Sequence, residues 1–316
     1  MRSAIAVVLC LVTAACGSSS GGSATPSGSG GSAGASGSGG SAGAAPSIGT
    51  VETFAELGTG SEGIAFGTDG LLYAGSGGAV WSIDAMATVT KVADVAAPLG
   101  MAPRADGSLI VCGKATGDAA KGDFPGVIWA VVPKSGQATV LVPPSVYGLP
   151  NMIAVAPDDS FAFSDSKVGK VYAASADGAK VTSIADISYA NGIAYSPDGK
   201  TLYVSSYDMK RIHQIPRMAD GTYGAATVAY ENVENVDGIT VLASGDFVLV
   251  RTPEITRMAK DGTTMALAPG GSIGIPANGA MGPSAFGDGW IYVSNLLGKK
   301  ISRVYVGEKG LPLPVR

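Results

Sequence analysis

Six stretches of this chain share one phase, and that phase decides what the chain can fold into. Residues 63–73 read Gly-Ile-Ala-Phe-Gly-Thr-Asp-Gly-Leu-Leu-Tyr, an apolar run, an Asp-Gly turn and a second apolar run. The same pattern returns at 100–110, at 152–159 and most closely at 192–203, with weaker copies beginning at Gly238 and Gly282. The spacing between copies runs from 37 to 52 residues, the range of propeller blades and other solenoid units.

Each copy reads as four short strands. In the fourth copy they fall at 193–196, 201–206, 211–216 and 226–230, alternating β-branched and aromatic residues between Gly-rich turns. No helical period is sustained anywhere. Four-stranded sheets set radially around a channel make a β-propeller, and six copies predict six blades in an all-β fold. The last copy runs out of chain after its third strand, near 300–306, while an unassigned strand at 50–57 precedes the first copy. The N-terminal strand is therefore expected to complete the last blade, which removes an open sheet edge.

Counting back seven residues from each turn gives Glu62, Leu99, Asn151, Asn191, Asp237 and Met281. These positions should lie where the first strand of each blade leaves the channel mouth. Four of the six carry side-chain oxygens, from blades one, three, four and five. Two carboxylates and two amide carbonyls converging on one axis suit a hard divalent cation, Ca²⁺ above all. Zinc is disfavoured, because no His or Cys group is in phase with them. Asn-Gly at 191 and Asp-Gly at 237 are also ordinary turn dipeptides, so a single such residue would carry little weight. The turn acids Asp69, Asp106, Asp158 and Asp198 fall at the other end of strand one and are expected to be structural.

The segment before the repeats addresses the protein. Arg2 and the apolar run 4–12 read as an export signal too short to span a bilayer, and Thr-Ala-Ala precedes Cys16. Residues 1–15 are thus read as a lipoprotein-type signal with Cys16 lipidated, in the envelope of a bacterium. Residues 17–47 are almost wholly Gly, Ser and Ala, with one nonamer repeated at 27–35 and 36–44. Such a flexible tether spans about 30 Å. The folded domain is then 48–316, with Cys112 its one thiol, expected to be buried and inert in Leu-Ile-Val-Cys. A net charge of −4 without a basic cluster argues against nucleic-acid partners. Membrane contact is expected through the anchor alone, and the protein is expected to be a monomer.

The tripeptides Ser-Glu62-Gly, Pro-Asn151-Met, Ala-Asn191-Gly and Val-Asp237-Gly resemble the metal ligands of a known family. It is the senescence-marker-protein, gluconolactonase and luciferin-regenerating-enzyme group, with diisopropyl-fluorophosphatase and paraoxonase as relatives. The resemblance covers about residues 50–306. It implies a six-bladed propeller with a catalytic divalent ion, usually calcium, acting on lactones or phosphotriesters. It further implies that Asp237 is the nucleophile or general base, while Glu62, Asn151 and Asn191 hold the ion. The sequence departs from the pattern at Ile64-Ala65-Phe66, at Met152, and in lacking a histidine pair, since His213 stands alone on a third strand.

Leu99 and Met281 are expected to give the mouth an apolar wall, with Met152 a further substrate-pocket residue, suited to an apolar or aromatic lactone or ester. The long loop 113–126 of blade two is a candidate lid on that face. Two other readings stay open: a non-catalytic, metal-stabilised propeller that binds a peptide or glycan, and a metal-free propeller of strictosidine-synthase type.

Overall fold

The alternating apolar runs pair as strands into six antiparallel sheets of four. The computed structural model describes residues 46–115, 125–145 and 147–313. The signal, Cys16 and nearly all of the tether lie outside the described residues, as do 116–124 of the candidate lid. Among the described residues no helix is long and apolar enough to cross a membrane.

Five sheets are continuous in sequence, with innermost strands Ser61–Phe66, Met101–Pro103, Pro150–Val155, Ala190–Tyr195 and Val236–Val241. The sixth combines Pro276–Met281, Trp290–Asn295 and Lys300–Tyr305 with the N-terminal strand Val51–Glu56. That strand pairs from Val51 against Val304 to Glu56 against Lys300. The fold is thus a six-bladed β-propeller closed by its first and last strands. Arg303 reinforces the closure by bonding Glu52 and lying 4.3 Å from the Trp290 ring centroid.

Six apolar clusters fill the spaces between adjacent blades, one at each interface. At the closing interface Phe54, Phe66, Phe286 and Tyr292 pack with centroids 4.8–5.7 Å apart, edge-on except for the tilted Phe54–Phe286 pair. Each ring removed from water there contributes about 2–3 kcal/mol. Cys112 is fully buried between blades two and three, where desolvation pushes its thiol well above the usual range. It is an inert core residue. The turn acids are structural as well: Asp69 accepts from Leu71 N and Tyr73 Oη, and Asp158 pairs with Arg217.

One register differs from the sequence reading. In blade six Pro276 pairs with Asn295, as Ser61 does with Ser76 and Pro150 with Asp165. The position equivalent to Glu62 is therefore Ala277, and Met281 lies at the opposite end of its strand. A 3₁₀ turn at Ser284–Phe286 lengthens the following hairpin, so counting back from Asp288-Gly289 overshoots the strand start. Met281 is not at the mouth; it packs by Gly310 of the C-terminal tail.

The central channel is apolar below the mouth. Ile64, Met101, Ile153, Ile193 and Ile239 occupy equivalent positions around it, with Gly279 the sixth. The space there is about 270 Å³ and open to solvent, with Leu311 and Leu313 of the C-terminal tail among its lining.

Candidate metal centre

Glu62, Asn151, Asn191 and Asp237 are each the second residue of an innermost strand, so all four project at one level of the mouth. The glycines that follow three of them are explained by packing rather than by turns. A Cβ on Gly63 would sit 1.8 Å from the Leu99 carbonyl oxygen, one on Gly192 2.7 Å from that of Asp237, and one on Gly238 2.9 Å from that of Ala277. Only glycine lets neighbouring innermost strands approach this closely. The Glu-Gly, Asn-Gly and Asp-Gly pairs are strand residues here.

In blade three Met152 takes the glycine position. Room for its side chain comes from Gly100, whose Cβ would lie 2.9 Å from Met152 Sδ. The thioether meets Asn278, whose Nδ2 donates to it at 3.3 Å. Met152 thus lies one residue below the oxygen ring and lines the channel there. Leu99 is half-buried at the start of blade two, packed against the cluster shared with blade three. Asn278 is a residue that motif reading misplaces. Ala277-Asn278-Gly279 repeats Ala190-Asn191-Gly192, but the ladder puts Asn278 level with Gly192.

The four oxygen-bearing side chains form two bonded pairs. Asn191 Nδ2 donates to Asp237 Oδ1 at 2.7 Å, and Asn151 donates to Glu62. Asn151, Asn191 and Asp237 are 4–7 % exposed, while Glu62 keeps a flank open at the mouth. Desolvation raises the Glu62 carboxyl to about 7 against the opposing bond from Asn151. Desolvation, then the Glu62 charge, pushes Asp237 well above the usual carboxylate range. No cationic side chain offsets either among the described residues.

Two further atoms bear on what this ring could hold. Asn151 Oδ1 and Asn191 Oδ1 are buried without a hydrogen-bond partner, a state that costs about 1–3 kcal/mol each. Two uncompensated carboxylates and two orphaned amide oxygens fit a hard divalent ion, which takes oxygen donors and flexible geometry. Among the described residues no group of three or more His, Cys, Asp or Glu side chains clusters, so a thiolate or imidazole site is not built here.

A repeated device fixes the segments leading into the mouth. The strand-two residue paired with the first residue of strand one is Ser76, Asp165, Ser206, Arg251 and Asn295 in blades one, three, four, five and six. Each bonds backbone just upstream of its strand one: Ser76 to Gly60 O, Ser206 to Ser188 O, Arg251 to Glu234 O and Asn295 to Ile273 O. Asp165, fully buried, accepts from the amides of Gly148, Leu149, Lys167 and Val168 at 2.7–3.1 Å. In blade two the equivalent residue is Gly113, and that blade offers Leu99 instead of an oxygen donor.

Fold and site together define a six-bladed propeller with an acidic oxygen ring at one channel mouth. Residues 51–271 match the model of the SMP-30/gluconolactonase/LRE-like region. The chain belongs to that family. A gluconolactonase of Xanthomonas campestris shares the fold with TM-score 0.67 and 22 % identity over 81 % of this chain and 89 % of that one. A calcium-binding regucalcin of Agrobacterium tumefaciens gives 0.63 and 19 % over 83 % and 98 %. An auxiliary nutrient-binding protein of Bacteroides thetaiotaomicron gives 0.61 and 12 % over 78 % and 69 %. At these identities the likeness is one of fold. A search of curated proteins finds no match to the chain.

Proposed function

We propose that this protein is an exported, lipid-anchored hydrolase of lactones or esters that depends on a divalent ion of the calcium class. The observation that carries the reading is the pair of orphaned Asn oxygens beside two buried, uncompensated carboxylates at one mouth. Glu62, Asn151, Asn191 and Asp237 would hold the ion. When bound, a hard divalent cation supplies Lewis-acid polarisation of a carbonyl oxygen.

The chain's own residues supply the rest. Asp237, oriented by Asn191 Nδ2, takes the proton of a water that attacks the acyl carbon and returns it to the alkoxide as the acyl C–O bond breaks. Alternatively it attacks that carbon itself, expelling the alkoxide and leaving an anhydride that water then hydrolyses. The channel beneath is lined by apolar side chains, which offer the site no competing polar groups from below. Glu62, on the open flank, faces incoming substrate. Membership in a family named for gluconolactonase supports this chemistry.

Turnover of simple lactones and aryl esters by the purified protein is expected to vanish with chelator and return with Ca²⁺. Asp237→Asn should lower it at least about 1,000-fold. Calcium binding without turnover of any such substrate would turn the reading to a non-catalytic binder. The anchor is tested separately: Cys16→Ser should move the protein from the membrane to the soluble fraction of its host.

Asp165 touches no substrate and acts by holding the segment before Asn151. Asp165→Asn replaces an acceptor by an amide that cannot satisfy all four donors, at a cost of about 3 kcal/mol in stability. It should also weaken Ca²⁺ binding about tenfold in calorimetry well below its melting temperature. Unchanged calcium affinity in a destabilised variant would leave Asp165 with a purely structural role.

A further inference from the structure

Blades four and five build the same turn before strand one with different residues. Tyr189 and Asn235, each two residues ahead of a mouth oxygen, have φ of +46° and +54°. Each is bonded from the residue that follows strand two: Tyr207 N to Tyr189 O at 3.2 Å, and Thr252 N to Asn235 O at 3.2 Å. Ala97 stands at the same place in blade two with φ +47°. Asparagine adopts this left-handed backbone with ease, whereas an aromatic residue does so only under strain. The fold therefore has no need of Tyr189; its backbone would be better served by the Asn of blade five.

The side chain explains what the backbone does not. The Tyr189 and Tyr207 rings lie 5.4 Å apart, tilted by 41°, and both residues are half-buried. Tyr189 precedes Ala190-Asn191, and the Tyr207 hydroxyl bonds Thr252 across to the blade that carries Asp237. Both rings lie within electrostatic reach of Asp237. On the outer side of Tyr189 a groove of about 450 Å³ opens between blades three and four. Strained residues kept against their backbone preference concentrate where a side chain contacts ligand.

The geometry points to Tyr189 and Tyr207 as the specificity-determining wall of the mouth, stacking on a flat ring next to the reacting carbonyl. This rests on the hydrolase reading and deepens it by naming the substrate class: ring-bearing lactones or esters rather than flexible chain esters. Aromatic rings and the C–H face of a sugar both present such a surface.

The experiment grafts blade five onto blade four, as the double variant Tyr189→Asn/Tyr207→Thr. Binding of three inert amides is measured by calorimetry with calcium present: the lactam counterpart of dihydrocoumarin, gluconolactam, and hexanamide. The wild type is expected to prefer at least one of the ring lactams over hexanamide by about tenfold, and the variant to lose that preference while melting no lower. The lactam that is preferred tells an aromatic ring from a sugar. A wild type without ring preference, or a variant that keeps it, overturns the inference. Because no turnover is read, an absent lactonase activity or an absent calcium heat would fail the hydrolase reading separately.

Discussion

Calcium at about 1,000 times its dissociation constant is expected to stabilise the metal-free protein by about 4 kcal/mol. For a domain of this size that is a rise in melting temperature of roughly 10 °C. The size follows from what the ion relieves. Without it, Glu62 and Asp237 stand as two desolvated carboxyls, Asp237 raised further by the Glu62 charge, and two Asn oxygens go without a partner. Asp237→Asn separates the causes. It removes one member of a like-charged buried pair, so the metal-free variant should be as stable as wild type or about 1 kcal/mol more stable at neutral pH. It also removes a charged ligand, so most of the calcium-induced shift should disappear. A variant that melts like wild type and still gains the full shift would place the ion elsewhere.

The second large effect is an inverted pH dependence of the metal-free protein. Glu62 is raised from 4.5 to about 7, chiefly by desolvation. A carboxyl raised on folding binds more protons in the folded than in the unfolded state between those values. Stability from this group is therefore fully present below pH 4.5 and is lost as pH climbs through about 7. The shift alone corresponds to about 3 kcal/mol, which the open flank of Glu62 reduces to about 2 kcal/mol. Asp237 moves in the same direction. Depressed surface carboxyls such as Asp158 work oppositely, so the informative quantity is the difference between wild type and Glu62→Gln. In chelator, denaturant midpoints of the wild type should fall relative to Glu62→Gln as pH rises from 4.5 to 7. Parallel curves would show that Glu62 titrates as an exposed group. Calcium competes with these protons, so its affinity should weaken as pH drops below about 7.

Both predictions concern residues that could be read before any coordinates. Glu62, Asn151, Asn191 and Asp237 were legible because each stands at a constant distance from its own hairpin, and a constant distance along one strand is a constant height in the channel. Met281 was misplaced because that distance fails where the Ser284–Phe286 turn enlarges the hairpin. Met152, expected among the pocket residues, lines the channel below the ring, in the space left by Gly100 of the neighbouring blade. Asn278 and Asp165 escaped notice because their partners are backbone and side chains from other strands.

By itself the sequence determined the all-β class, six blades, the closing strand and the four oxygens, because these are written in local periods and in one phase repeated along the chain. Only the tertiary structure decided that Ala277 and not Met281 completes the ring, that the glycines after three of the four oxygen residues serve strand approach, and that Tyr189 and Tyr207 meet at the start of blade four. Those facts depend on ladder register and on contacts between blades, and hydrogen bonds between segments distant in sequence set both.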